Sequence, residues 1–414
     1  MNELKKTLFF VLGAAVLAAA AIVVDPGASA PDIFNDQGEL FFPTFTDPNA
    51  PKSIEVIDYD ADTATATPLK VEFRDGQWIL PSHNNYPADA SDRLAKTAAA
   101  LIEIKKDMIV SDRVEDHAEY GVVDPLDEQV TSLEGRGKRV TLKDGEDNVL
   151  ADFVIGKAVE DKPGYRYMRV PGQRRVYAVQ TQVDPSAQFR DWIETDLLKL
   201  SAADLRRVLI NNYQIQEQFG MARIVPRETV ELTKNSDNEW RLGSRKPNEA
   251  KMNALTGALD NLKIVDVIPK PDFLTADLKT KGQIQPSMAA ARELVDKGFY
   301  LGGDGKIFGN EGEIIVDTQN GIRYTLQFGE IASNGGKQEA GEADSAGGER
   351  RFLLIAVSFS DQRAKSYAGE GKEPDAKGKE LFDELQDRFA GWYYVISGAD
   401  FNNLRPSKAD LLKG

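Results

Sequence analysis

Beyond residue 50 the chain alternates period-two hydrophobic segments with stretches of helical spacing, and it does so twice. The first series opens with SIEVIDYD (53–60) and PLKVEFRDGQWIL (68–80), the second with LRRVLINNY (205–213) and ETVELTKNSDNEWRL (228–242). Both longer segments alternate apolar and polar residues around a polar turn and close on a tryptophan, Trp78 or Trp240. That pattern predicts a β-hairpin with the indole on the core face. A helix-period stretch follows each: 93–106, with Leu94, Ala98, Leu101 and Ile104 on one face, and 249–264, with Leu255, Leu259 and Leu262. Short β-rich segments come next, DMIVSD (107–112) and IVDVIPK (264–270). Further strands close both series, and Gly156 after FVI matches Gly329 after LQF.

Self-similarity at this period predicts an α+β fold. Two tandem, internally duplicated domains with mainly antiparallel sheets and packed helices are expected, a first repeat over 53–200 and a second over 201–407. SNGGKQEAGEADSAGGE makes 331–350 a mobile polar insert in the second repeat. FRDWIETDLLKL (189–200) reads as a short amphipathic helix joining the repeats. GKELFDELQDRF (378–389) reads as another helix, and GWYYVIS (391–397) as the final strand.

Ahead of the body, residues 7–24 are an uncharged apolar run preceded by Lys5 and Lys6. As a helix it would rise about 27 Å, enough for a bilayer core. The basic flank predicts a cytoplasmic amino terminus and an extracytoplasmic body. Residues 1–24 are thus expected to be one transmembrane anchor in the inner membrane; a cleaved signal peptide ending near Ala30 is the alternative. Residues 25–52, with several prolines and little periodicity, read as a stalk.

Composition narrows the chemistry. No cysteine is present, which excludes disulfides, thiol catalysis and Cys-ligated metals, and two histidines leave little for His-based sites. A net charge of −15 argues against nucleic-acid binding. Residues 1–24 hold one carboxylate and two lysines, so the remainder carries −16. Such a body is expected to be repelled by anionic headgroups and to stand off the membrane on its stalk. LGGDGKIFG and YAGEGKEPD lack the spacing of a phosphate-binding loop, so no nucleotide or other cofactor is expected.

Three sets of residues invite a functional reading. His83, with Asp89 and Asp92 nearby, has the makings of a metal or acid/base site, against the plainer reading of a turn into a helix capped by Asp89. His117 reads as a solvated residue beside a turn. Glu311 and Glu313 would share a face if their segment is extended, as a hydrolase pair requires, but no aromatic cleft pattern accompanies them. The Asn310, Glu311, Gly312, Glu313 turn is better read as a partner-binding loop. Trp192, Trp392, Tyr393 and Tyr394 lie on apolar-flanked segments and read as core. No metal ligand set and no catalytic set emerges.

Several segments resemble one bacterial group, the domain-of-unknown-function family 4340: PSHNNYPADA (81–90), EYGVVDP (119–125), FRDWIETDLLKL (189–200), 308–330 and GWYYVISGADFNNLRP (391–406). YGVVDP is similar to the family's commonest signature, and the second repeat departs from it with KGFYLGGDG (297–305). The resemblance implies an extracytoplasmic, non-enzymatic accessory of an ABC transport system, with an ABC-2-type permease and an auxiliary subunit as partners. An envelope ligand-binding module for polysaccharide or peptide, with a groove between the repeats, is the alternative. An envelope hydrolase is third.

Overall fold

The computed structural model describes residues 36–218, 221–281, 284–332, 349–368 and 377–413. The expected membrane helix and most of the expected mobile insert lie outside them. Among the described residues no helix is long and apolar enough to cross a membrane.

The first sheet is built from β1 (Ser53–Asp60), β2 (Thr65–Arg74), β3 (Gln77–Leu80), β4 (Tyr86–Pro87), β5 (Met108–Ser111), β6 (Lys138–Lys143), β7 (Val149–Ala158), β8 (Tyr165–Arg169) and β9 (Val176–Gln180). Helix α1 (Ser91–Ile102) lies between β4 and β5, and α2 (His117–Tyr120) between β5 and β6. The spatial order is β4-β3-β2-β1-β6-β7-β8-β9-β5. Asp75 and Gly76 both take positive φ, +52° and +83°, which is the two-residue turn that closes β2 on β3. Alternation then puts Ile54, Val56, Leu69, Val71, Val140 and Leu142 on one fully buried face. Leu94, Ala98 and Leu101 of α1 are buried in the same core.

The second sheet uses β10 (Leu205–Gln218), β11 (Met221–Lys234), β12 (Trp240–Leu242), β13 (Ile264–Pro269), then β16 (Glu313–Thr318), β17 (Ile322–Ile331), β18 (Arg350–Phe359) and β19 (Trp392–Ser397). Its order is β12-β11-β10-β16-β17-β18-β19-β13. A separate two-stranded ribbon joins β14 (Phe299–Leu301) to β15 (Ile307–Gly309). The helices here are α3 (Glu249–Asp260), α4 (Asp272–Lys281), α5 (Met288–Val295), α6 (Asp361–Ala368), α7 (Lys377–Ala390), α8 (Gly398–Leu404) and α9 (Lys408–Leu412). Among the described residues every pairing between these strands is antiparallel. The molecule is therefore α+β with mainly antiparallel sheets. In each large sheet the strand after the helix, β5 or β13, crosses to the far edge and pairs with the last strand, β9 or β19.

Two expected segments differ from the pattern reading. From Asp36 onward the supposed stalk is part of the first sheet's packing. Gly38 N donates to Lys106 O (2.8 Å), Phe41 N donates to Ile104 O (2.7 Å), and Phe41, Phe42 and Phe45 are buried. Three phenylalanines within five residues carry enough apolar surface to dock without any periodicity. The expected helix at 189–200 is instead a single 3-10 turn, Phe189–Trp192, followed by irregular chain. There the Glu194 and Asp196 carboxylates accept from the backbone N–H groups of Asp196 (3.2 Å) and Lys199 (2.8 Å), local bonds that compete with a helix.

Candidate functional site

The turn Asn310–Glu313 is held from several directions. Asn310 N donates to Gly298 O (2.8 Å), Glu311 N to Phe328 O (3.0 Å), and Phe328 N to Gly312 O (3.0 Å). Gly312 takes φ +87°, and a Cβ there would collide with the Asn211 carbonyl, so only glycine fits. The Asn310 side chain donates to the Glu330 carboxylate. The two acids serve different neighbours. Glu313 accepts from Asn211 Nδ2 (3.0 Å), and burial pushes its carboxyl up. Glu311 faces Arg405 Nη1 at 3.6 Å and Arg227 Nη1 at 3.8 Å. This turn braces the root of the β10–β11 hairpin, and Glu311 is its outward charge.

Around Glu311 gathers a guanidinium cluster that the sequence did not announce. Arg405 donates through Nε to Asn212 Oδ1 (2.9 Å) and lies 4.7 Å from the Phe401 ring centroid. Arg351 lies 4.4 Å from the same ring and donates to Gly329 O (2.8 Å). Burial lowers the Arg405 pKa, although Glu311 opposes that shift.

The hairpin itself is asymmetric. β10 pairs with β16 only as far as Asn211, and β12 pairs with β11 only at Leu232–Lys234. The β10–β11 ladder nevertheless continues to Gln218 opposite Met221. Past Asn211 β10 leaves β16 and meets the Asn310 turn, Ile215 N donating to Asn310 O (3.3 Å), and beyond that contact the hairpin runs on as a two-stranded ribbon; Ile224, opposite Ile215, is exposed. In the first sheet the β1–β2 pair closes at Asp60 opposite Thr65.

The histidines are placed otherwise than expected. His83 is buried, stacked on Phe189 with ring centroids 4.4 Å apart, and 3.1 Å from Ser82 Oγ. Ala90, not Asp89, occupies the N-cap of α1, with no side-chain cap. His117 is buried, not solvated: Nε2 lies 2.7 Å from Arg174 O, and burial lowers its pKa. Among the described residues no group of three or more His, Cys, Asp or Glu is arranged to hold a metal ion. Trp192, Tyr393 and Tyr394 are buried, and Trp392 packs edge-on against Tyr86 at 5.0 Å.

A cleft of about 560 Å³ lies between the linker and the start of β13, where the two sheets meet. Glu194, Asp196 and Asp260 line it, with Arg190 and Lys263 also present. Burial raises the Asp196 pKa, and Glu194 and Asp260 add to that as like charges. The sheets are bound together around this cleft: Asn84 Nδ2 donates to Val267 O (3.1 Å), Arg388 Nη1 to Asp196 O (2.8 Å), and Tyr324 Oη to Leu198 O (2.9 Å).

The YGVVDP loop is clamped by three arginines. Arg136 donates to the carbonyls of Asp124, Pro125, Asp127 and Val130 at 2.6–3.1 Å. Arg139 binds Asp124 (3.0 Å) and Asp152 (2.8 Å), and the buried Arg169 donates to Val122 O (2.9 Å). Gly121, at φ +68°, carries this loop across Gly156; Gly298, at φ +76°, carries KGFY across Gly329 in the same way.

A family model described as Domain of unknown function (DUF4340) matches residues 78–286, half of the chain. The matched region starts on β3 and ends beyond α4, so it takes in parts of both sheets; segments 308–330 and 391–406 lie outside it. No curated protein and no solved structure matches the chain.

Proposed function

The chain belongs to the DUF4340 family, and from that premise we propose that it is a membrane-anchored, extracytoplasmic accessory protein of an ABC-type transport system. It is non-enzymatic in this reading and works through protein–protein contact. The observation that carries the reading is the β10–β11 ribbon, which extends past its sheet and presents Ile224 beside Arg223 and Arg227. A two-stranded ribbon gains little stability alone, so its persistence beyond the sheet is best explained by a contact it makes. The apolar run at 7–24 supplies the anchor, and the permease and auxiliary subunit come from the family resemblance.

Duplication belongs to the same proposal. Omitting β4, the strand orders of the two large sheets correspond one to one. Ile54 and Val56 sit opposite Val71 and Leu69 as Val208 and Ile210 sit opposite Leu232 and Val230. Trp78 opposite Phe73 corresponds to Trp240 opposite Lys234.

Affinity purification of the tagged full-length chain from mildly solubilised native membranes tests the role. Co-recovery of a permease and an auxiliary subunit is the expected result, and recovery of the chain alone would overturn it. The cleft between the sheets favours a second reading, a ligand-binding module. Its acidic lining without exposed aromatic rings fits a cationic peptide better than a polysaccharide.

A further inference from the structure

Four polar side chains share one face of the second sheet where β10 leaves it. Asn211 stands opposite Glu313, and Glu313 opposite Gln327, in adjacent strand pairs. Tyr213, two residues beyond Asn211 on β10, points to the same face. The β14–β15 ribbon lies over them: Gln327 Nε2 donates to Ile307 O, and a Cβ on Gly309 would collide with Phe328 O. Phe299, Ile307 and Leu354 form a buried apolar border.

The oxygens of this group lack a positive partner. Glu313 Oε1 accepts from Asn211 Nδ2 (3.0 Å), and among the described residues its carboxylate forms no ion pair. Lys306, whose charge it feels, is exposed and pairs with Asp304 (3.0 Å). Gln327 and Tyr213 are only 5 % and 6 % exposed. Among the described residues Gln327 Oε1 and Tyr213 Oη are buried without a hydrogen-bond partner. Burial, and after it the charge of Glu313, pushes the Tyr213 hydroxyl pKa up, so that hydroxyl lies in the field of the carboxylate. A half-buried carboxylate beside two orphaned oxygens is an arrangement short of positive charge.

We propose that this group binds an alkali metal ion, with Glu313 Oε2, Gln327 Oε1 and Tyr213 Oη as its protein ligands. All three are hard oxygen donors, which suit such a cation. A proton on Glu313 would satisfy one of the two orphaned oxygens, whereas a metal ion satisfies both together with the carboxylate. One carboxylate balances one charge, so the ion is monovalent; a divalent ion would leave buried charge uncompensated. The site has a single acid, unlike the several carboxylates that hold calcium. Asn211–Glu313 is the last pair between β10 and β16, so the ion braces the root of the β10–β11 ribbon. Neither the anchor nor any partner is needed for this inference.

Thermal melts of the full-length chain in non-ionic detergent at pH 8 test it, in NaCl, KCl and choline chloride at equal concentration. The midpoint in sodium or potassium should exceed that in choline by about 3 °C and climb with the concentration of the ion. Tyr213→Phe, which removes one ligand and keeps the ring, should narrow that gap, and Glu313→Gln should abolish it. Equal midpoints for the parent in all three salts overturn the site. So does an ion effect that both variants retain in full. A parent indifferent to salt, with Glu313→Gln melting higher, overturns it too and assigns the carboxyl a proton in place of the metal.

Discussion

Gly156 lies beneath the Tyr120 carbonyl so closely that a methyl group on it would collide with that oxygen, and would come within 2.7 Å of Val122 Cγ1. Gly329 stands in the same relation to Lys297 O, with Phe299 Cζ 2.9 Å from the added methyl. In both sheets a strand glycine is the floor over which a positive-φ glycine carries the crossing chain. Gly156→Ala and Gly329→Ala should each cost about 1–3 kcal/mol through overpacking. Gly303→Ala, where a Cβ meets nothing within 4 Å, should stay within ~0.5 kcal/mol of the parent. Urea unfolding of the three variants measures this; equal effects at all three positions would contradict the account.

Asp317 is buried and accepts from Arg323 Nε (2.6 Å) and Nη2 (2.9 Å), with Arg207 Nη1 at 3.5 Å and Arg363 Nε at 3.9 Å. Burial alone would raise its pKa, but the Arg323 bonds and the three positive charges outweigh it and hold the carboxyl below its ordinary value. A depressed pKa contributes stability that is present above the unfolded value, about 3.9, and is lost as pH falls through the folded value. Asp317→Asn should therefore lose about 1–3 kcal/mol at pH 7 by leaving half-buried guanidinium groups without their carboxylate partner. The gap should narrow in acid, which denaturant melts at pH 7 and pH 3 will show.

Lys270 is the opposite case. Its Nζ donates to Phe389 O (2.8 Å) and Trp392 O (2.5 Å), tying the end of α7 to the start of β19, and burial brings its pKa down to about 7. Between that value and the unfolded one, about 10.4, the unfolded chain binds more protons, so stability rises with pH through this window. Lys270→Met removes that dependence. The parent should gain on the variant as pH increases from 7 to 10, by at most about 1.4 kcal/mol per unit. Thermal melts across that range check the slope; an unchanged difference would contradict it.

The legible parts of the fold were those written locally. The Trp78 and Trp240 hairpins, the α1 and α3 faces and β19 follow from period and turn chemistry. The far-edge positions of β5 and β13 were not legible, because pairing Met108 with Ala178 or Val267 with Tyr394 depends on contacts distant in sequence. Both tryptophans are only partly buried: Trp78 packs on Phe73 at 5.3 Å, and Lys234 lies 5.3 Å from the Trp240 centroid. Reading KGFYLGGDG as a departure from YGVVDP hid that Gly298 and Gly121 each cross a strand glycine, because a single glycine in a loop carries that likeness. The Asn310–Glu313 turn was found, but not its arginine neighbours, since Arg227, Arg351 and Arg405 come from three separate elements. The extra length of β10 and β11 was the one available signal for the ribbon.

The central claim is that the ribbon makes the partner contact. A photo-crosslinking residue at Ile224, introduced into the full-length chain in living cells, tests it most directly, with Ser236 as the control position. The account predicts a crosslink from position 224 to a membrane-embedded transport subunit and none from 236. Position 224 yielding no adduct, in cells where the intact chain is present at its normal level, would contradict it.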